Sequence, residues 1–159
     1  LRALSSLYVE RREKLAAGGA LDGAGKRAAF ALFYGPQHFF ITRLIARAVG
    51  AADSVRRVVD IGCGTGVAGA AIALEAGGAV VEGFDLNPWA VREANWTWRA
   101  LQLEGRAVVA NVARARLAAS PGTLLVAAYA VNEWPAATEA LLRQRLPALF
   151  AVQERRAHA

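Results

Sequence analysis

The sequence predicts an α/β domain built on a doubly wound, mostly parallel sheet. Three observations carry that expectation. From Arg57 onward, short continuous apolar runs alternate with helical stretches, as in a parallel sheet covered on both faces. A glycine-dense loop leaves the first of these runs and enters a helix of small residues. The chain has 159 residues and 55% apolar content, which suits one folded domain with one core.

Taken in order, Leu1 to Ala17 reads as an amphipathic helix, because Leu4, Leu7, Tyr8 and Leu15 can share a face. Arg11-Arg12-Glu13-Lys14 is expected on its solvated side. Gly18, Gly19 and Gly23 end that pattern. A second helix is expected from Gly25 to Tyr34, stopping at Gly35-Pro36 and restarting through Phe39 to Val49. Residues 1–50 would thus form a helical extension, and 51–159 the sheet domain.

Val58 to Ile61 is a short buried strand, and Val67 to Ala76 is the small-residue helix after it. Ala79 to Asp85 is a second strand. Asn87 can cap the next helix, with Pro88 at its first position and its end near Leu103. Ala107 to Ala110 and Leu124 to Ala130 supply the third and fourth strands. Ala136 to Phe150 reads as helical with a break at Pro147, and Ala151 to Ala159 holds no further strand. The fourth strand is then a bare apolar edge. That leaves two expectations: a domain incomplete at its C-terminus, or an edge that pairs with another chain or a second copy.

Charge adds a hint about partners. The net charge is +6, and seventeen of the nineteen basic residues are arginine. A basic domain suits a nucleic-acid partner; over-use of Arg and Ala is the compositional alternative. The single cysteine, Cys63, allows no intrachain disulfide and no thiolate cluster. His38 and His158 are the only histidines, so no metal site is expected. No apolar stretch reaches the roughly 20 residues that span a bilayer. The first residues lack a signal layout. A soluble, cytoplasmic protein without a membrane partner is the expectation.

The run Val58-Val59-Asp60-Ile61-Gly62-Cys63-Gly64-Thr65-Gly66 carries the functional reading. Its glycines let the backbone turn tightly and approach a ligand. The helix beyond presents unpaired N–H groups and a partial positive charge, which suits the carboxylate of an amino-acid-like ligand. Asp60 stands at the strand's carboxyl end, where α/β sheets bind ligands, and can hold an ammonium group. Asp85 closes the next strand, about twenty residues on, and its two oxygens can accept from both ribose hydroxyls. Leu86 and Trp89 can offer apolar contact to adenine.

These residues resemble the class I S-adenosylmethionine-dependent methyltransferases. The family's glycine motif corresponds to Asp60-Ile61-Gly62-Cys63-Gly64-Thr65-Gly66, and its ribose-binding acid to Asp85 in Gly83-Phe84-Asp85-Leu86-Asn87-Pro88. The resemblance implies a Rossmann-like methyltransferase fold with S-adenosylmethionine as cofactor. It implies adenine contact at Asn111 and Val112, in Val109-Ala110-Asn111-Val112, where the family often has an acid. It covers Val58 to Trp134. A dinucleotide-binding reading competes, since Gly64, Gly66 and Gly69 fit that glycine spacing. Its frame would aim the Asp60 carboxylate at a pyrophosphate, and like charges repel.

At the end of the fourth strand, Tyr129, Asn132 and Glu133 would face the methyl donor. With His38 they are the candidates for acceptor contact; no general base is identified. Ala128-Tyr129-Ala130-Val131-Asn132-Glu133 resembles the small-ribosomal-subunit-associated methyltransferase-like family. More loosely, so do Leu4-Ser5-Ser6-Leu7-Tyr8 and Tyr34-Gly35-Pro36. That resemblance implies an RNA or ribosomal-subunit partner, with either methyl transfer or a non-catalytic role that keeps the cofactor pocket. Glu133 reads equally as a site acid or as a helix-start carboxylate.

Other tempting residues have plainer readings. Cys63 reads as a small loop residue beside the cofactor rather than a nucleophile. His38 reads as a packing or surface residue, and Phe33, Tyr34, Phe39 and Phe40 as lid or core rather than a base-stacking platform. Trp96 and Trp98 fall on different helix faces, one in the core and one partly exposed.

Overall fold

The structure is a computed structural model. It describes residues 21, 23–112, 117, 120–131, 140 and 149–152. The Leu1–Ala17 helix, Asn132, Glu133 and nearly all of Ala136–Phe150 lie outside them.

Five parallel strands form one sheet: β1 (Arg57–Ile61), β2 (Val80–Asp85), β3 (Gly105–Val109), β4 (Thr123–Ala128) and β5 (Leu149–Val152). Their order is β3-β2-β1-β4-β5, so the chain winds outward in both directions from β1. The reversal between β1 and β4 is where such sheets bind ligands. The register pairs Asp60 with Gly83 and with Val126.

The sequence expectation of four strands is corrected here. Residues 149–152, read as a helix end and tail, form β5 and pair with 125–128 of β4. The β4 edge is therefore covered within the chain, which overturns the expected bare edge. A four-residue apolar run is too short for periodicity to tell strand from helix.

The strands are apolar on both sides. Val58, Val81 and Val126 face one cluster, which also holds Ile72 and Trp98. Val59, Ile61, Phe84, Leu125 and Ala127 face the other. Continuous burial of this kind belongs to parallel sheets.

Helices α3 (Val67–Glu75) and α4 (Pro88–Ala100) connect β1 to β2 and β2 to β3. Asn87 caps α4 as expected: its Oδ1 accepts from the N–H of Trp89 at 2.9 Å and of Ala90 at 3.4 Å.

Ahead of the sheet run α1 (Ala24–Ala29), a π-helical turn (Phe30–Tyr34) and α2 (Gly35–Ala48). The expected stop at Gly35-Pro36 does not occur. Pro36 has no N–H, and its ring would clash with the carbonyl one regular turn back. The wider turn relieves that conflict, as the Gly35 N–H reaches five residues back to the Phe30 carbonyl. Helix α2 then packs on α3, with Ala46, Phe39 and Ile45 joining the main core. Arg43 and Arg47 both donate to Glu75 at the end of α3, at 2.9 and 2.7 Å. These hydrogen bonds, Arg47's first, hold the Glu75 carboxyl down at about 2.

Among the described residues, no helix is long and apolar enough to cross a membrane. No group of His, Cys, Asp and Glu among them could hold a metal ion.

The outer edge of β3 is covered by a side chain. Asn95 of α4 accepts from the Ala107 N–H and donates to the Ala107 carbonyl, both at 3.0 Å. Its amide thus takes the place of a neighbouring strand at one step of the ladder. Asn95→Ala should lower unfolding free energy by about 1–2 kcal/mol, the usual value of losing such bonds. Urea denaturation reads this directly, and an unshifted midpoint would show that water replaces the amide at no loss.

Candidate functional site

The loop between β1 and α3 is shaped by its glycines. Gly62, Gly64 and Gly66 have φ of 67°, 53° and 76°, the left-handed region that side chains avoid. At Gly62 a Cβ would also lie 2.6 Å from the Ala130 Cβ, and at Gly66 it would lie 2.8 Å from the Trp98 Nε1. Neither position accepts another residue without displacement of the backbone or the core.

The loop is tied to the β2–α4 unit along its whole length. Gly62 and Cys63 donate N–H bonds to the Phe84 carbonyl at 2.8 and 3.1 Å. Gly64 N–H donates to Asp85 Oδ2 at 2.9 Å, while Asp85 Oδ1 accepts from Asn87 N–H at 2.8 Å. The Trp98 indole N–H donates to the Gly66 carbonyl at 2.8 Å.

Asp60 and Asp85 alternate onto the same sheet face as Val58 and Val81, so both acids flank the loop on one side. Asp60 is buried, and its Oδ2 accepts from the Gly69 N–H in the first turn of α3 at 2.8 Å. Its Oδ1 is buried with no hydrogen-bond partner among the described residues. Burial pushes the Asp60 carboxyl up to about 7, with the charge of Asp85 adding to the rise and the Gly69 bond opposing it. Burial also raises Asp85, against bonds from the backbone of Asn87, Gly64 and Leu86. A buried carboxylate oxygen of this kind is chemically suited to a cationic or hydrogen-bond-donating group.

At the end of β4, Tyr129 has φ of 61°. For a bulky residue this backbone is strained by about 1–3 kcal/mol, and such strain clusters at ligand sites. Its ring stacks on His38 of α2, with centroids 3.6 Å apart and planes 8° from parallel. Phe30 and Tyr34 of the π-helical turn meet His38 at 6.4 and 5.9 Å. Burial lowers His38 to about 4, so the imidazole is neutral at pH 7.

The structure thus gathers Asp60, Gly62, Cys63, Gly64, Gly66 and Asp85 around one loop, with His38 and Tyr129 stacked at the end of β4. Cys63 is buried and its thiol is pushed well up by burial, which suits a filler and not a nucleophile. Asn111 follows β3 and is exposed, one residue beyond Ala110, whose N–H bonds the Asp85 carbonyl at 3.0 Å. Val112 packs with the opposite-face cluster, and Leu86 is 65% exposed. Trp89 packs instead with Leu21, Ala90 and Phe30, with the Arg27 guanidinium 5.7 Å from its ring.

Three residues have roles beside the loop that the sequence reading did not assign. Phe30 lies beside Gly64, 3.4 Å from where its Cβ would be. Gly69 must be small because a Cβ would lie 2.7 Å from Asp60 Oδ2. Trp98 is fully buried, whereas Trp96 is 61% exposed, as their spacing predicts. The missed signal for Trp98 was Gly83, a glycine inside a strand, which marks a close approach by something large.

A parallel sheet in this order, with a glycine loop after β1 and an acid closing β2, is a Rossmann-like domain of the methyltransferase type. The chain belongs to the methyltransferase small domain family, whose model matches residues 39–125. No protein of curated function matches it. Among solved structures it is similar to the plantazolicin methyltransferase BpumL in complex with S-adenosylhomocysteine. That match has 16% identity and a TM-score of 0.57, covering 92% of this chain and 52% of the other. It is also similar to a Methanococcus maripaludis protein assigned as an S-adenosyl-L-methionine-dependent methyltransferase. Identity there is 18% and the TM-score 0.57, covering 84% of this chain and 55% of the other. These likenesses are of fold, and the chain spans little more than half the length of either protein.

The raised Asp60 gives a pH prediction with a definite sign. A carboxyl that titrates near 7 when folded and at 3.8 when unfolded binds its proton more tightly in the folded state. The ligand-free protein should therefore lose stability as pH rises from about 4 to about 7. Asp60→Asn removes that titration and should flatten the profile. Asp85 shifts the same way in both proteins, so the difference reports Asp60. Guanidinium melts across this range that run parallel for both proteins would exclude it.

Proposed function

We propose that this domain binds S-adenosyl-L-methionine and serves methyl transfer. The observation that carries this reading is the pair of strand-end carboxylates on one sheet face, astride a left-handed glycine loop. The residues fit the cofactor in chemical kind. Asp60 Oδ1, buried with no hydrogen-bond partner among the described residues, suits the ammonium of the methionine portion. Asp85 Oδ2 accepts from Gly64 N–H and Oδ1 from Asn87 N–H, and a carboxylate has lone-pair capacity beyond its backbone bonds for a ribose hydroxyl. Asn111, beyond β3, can hydrogen-bond the adenine amino group, with Val112 and Leu86 as apolar neighbours. The amino end of α3 suits the ligand's carboxylate.

When bound, the cofactor supplies a methyl group on a positive sulfonium. What the chain must do is hold the two reactants in line and exclude water. The Phe30, Tyr34, His38 and Tyr129 rings form an apolar wall suited to that exclusion. Tyr129 and His38, with Asn132 and Glu133, are the residues we assign to acceptor contact. A neutral His38 titrating near 4 is a weak base at pH 7, so its part is contact, not proton removal.

For the acceptor we propose RNA, with a ribosomal subunit as its setting. The net charge of +6, carried almost wholly by arginine, supports this choice. Calorimetry with S-adenosylhomocysteine tests the pocket, and undetectable binding at millimolar ligand would count against it. Asp85→Ala should weaken binding by about 1–3 kcal/mol, and unchanged affinity would remove Asp85 from the ribose site. Tritiated methyl transfer to ribosomal RNA, compared with a small-molecule pool, tests the acceptor. Label only in small molecules would refute RNA, and label in neither, with binding intact, would favour a non-catalytic module.

A further inference from the structure

We infer that Trp98 is a positioning residue for the cofactor loop: its indole N–H sets the loop's shape and, through it, cofactor affinity. The inference rests on the cofactor reading above. Trp98 touches no expected ligand position; it acts through Gly66.

Two facts separate this from ordinary core packing. The first is the hydrogen bond. Gly66 caps α3, and its carbonyl already accepts the first helical bond, from Ala70 N–H at 3.0 Å. The 2.8 Å bond from Trp98 Nε1 is a second one on the same oxygen. That carbonyl is satisfied without Trp98, so the indole bond adds direction more than it relieves an unmet need. The Gly66 N–H in turn donates to the Cys63 carbonyl at 2.7 Å, which closes the loop on itself.

The second is the space. Three glycines from three elements make room for one ring system. A Cβ at Gly66 would lie 2.8 Å from Nε1, at Gly83 2.6 Å from Cη2, and at Gly105 3.0 Å from Cε3. The ring therefore has one pose, and its N–H points in one direction. The β2–α4 unit grips the loop at both ends: Asp85 holds Gly64, and Trp98 holds Gly66. The acid assigned to the ribose and the loop assigned to the amino-acid portion are thereby kept in one register.

The test replaces the indole N–H without changing the ring's shape. Site-specific incorporation of 3-benzothienylalanine at position 98 puts sulfur in place of the N–H. Val58→Ala, at the opposite end of β1, serves as a core variant that lowers stability without touching the loop. S-adenosylhomocysteine affinity and melting temperature are measured for all three proteins. The benzothienyl protein should bind about tenfold more weakly, the value of one hydrogen bond. Val58→Ala should bind as the parent does despite its lower melting temperature. Equal affinity of the benzothienyl and parent proteins would overturn the inference. So would weakening that tracks melting temperature in both variants. Should the parent itself not bind, the cofactor reading fails separately. Amide exchange at residues 64–69 then decides: faster exchange confined to that loop upholds the positioning role, and unchanged exchange overturns it.

Discussion

An indole seated where a loop and two strands lack side chains governs the geometry of this fold. Trp98 fills the space left by Gly66, Gly83 and Gly105, so α4 can lie close against β2 and β3. A side chain at Gly66 or Gly83 would collide with the ring, and one at Gly105 with the Val81 carbonyl; removing the ring would leave a cavity of the kind that costs about 3–5 kcal/mol for a truncated tryptophan. The same ring donates to the loop carbonyl that starts α3. Packing and loop shape are thus one constraint here.

Around that constraint the site combines rigid backbone with unfavourable electrostatics. Two carboxylates share one buried face, and both are raised by burial. Both raised carboxyls cost the ligand-free fold stability near neutral pH, because burial makes the charged form less favourable than in water. A ligand that brings a cation and hydroxyl donors would relieve both. Tyr129, strained at positive φ, shows the same pattern at the neighbouring strand end. None of these three features stabilises the fold itself, and all three suit the ligand site proposed above.

The helical segment ahead of the sheet also belongs to the site. The π-helical turn sets Phe30 beside Gly64 and brings Tyr34 near His38. The insertion that accommodates Pro36 thus places aromatic side chains over the loop. Arg43 and Arg47 on Glu75, with Ala46, Phe39 and Ile45 in the core, hold α2 to α3.

Much of this was legible in the residues. Strand–helix alternation, the glycine loop, the two strand-end acids, and the Asn87-Pro88 helix start all follow from local rules of φ, capping and burial, which act within a few residues. The sequence alone therefore determined the parallel sheet and the position of the loop. What escaped it depended on contacts between distant segments. Leu149–Val152 is a strand because β4 offers an unpaired edge to it. Helix α1–α2 runs through Pro36 because a widened turn could form where α2 packs on α3. Asn95 and Trp98 look like ordinary helix residues until Ala107 and Gly66 are brought beside them. Only the tertiary structure decided these, because a hydrogen bond or a close approach between segments needs both partners in place, and spacing along the chain specifies only one at a time.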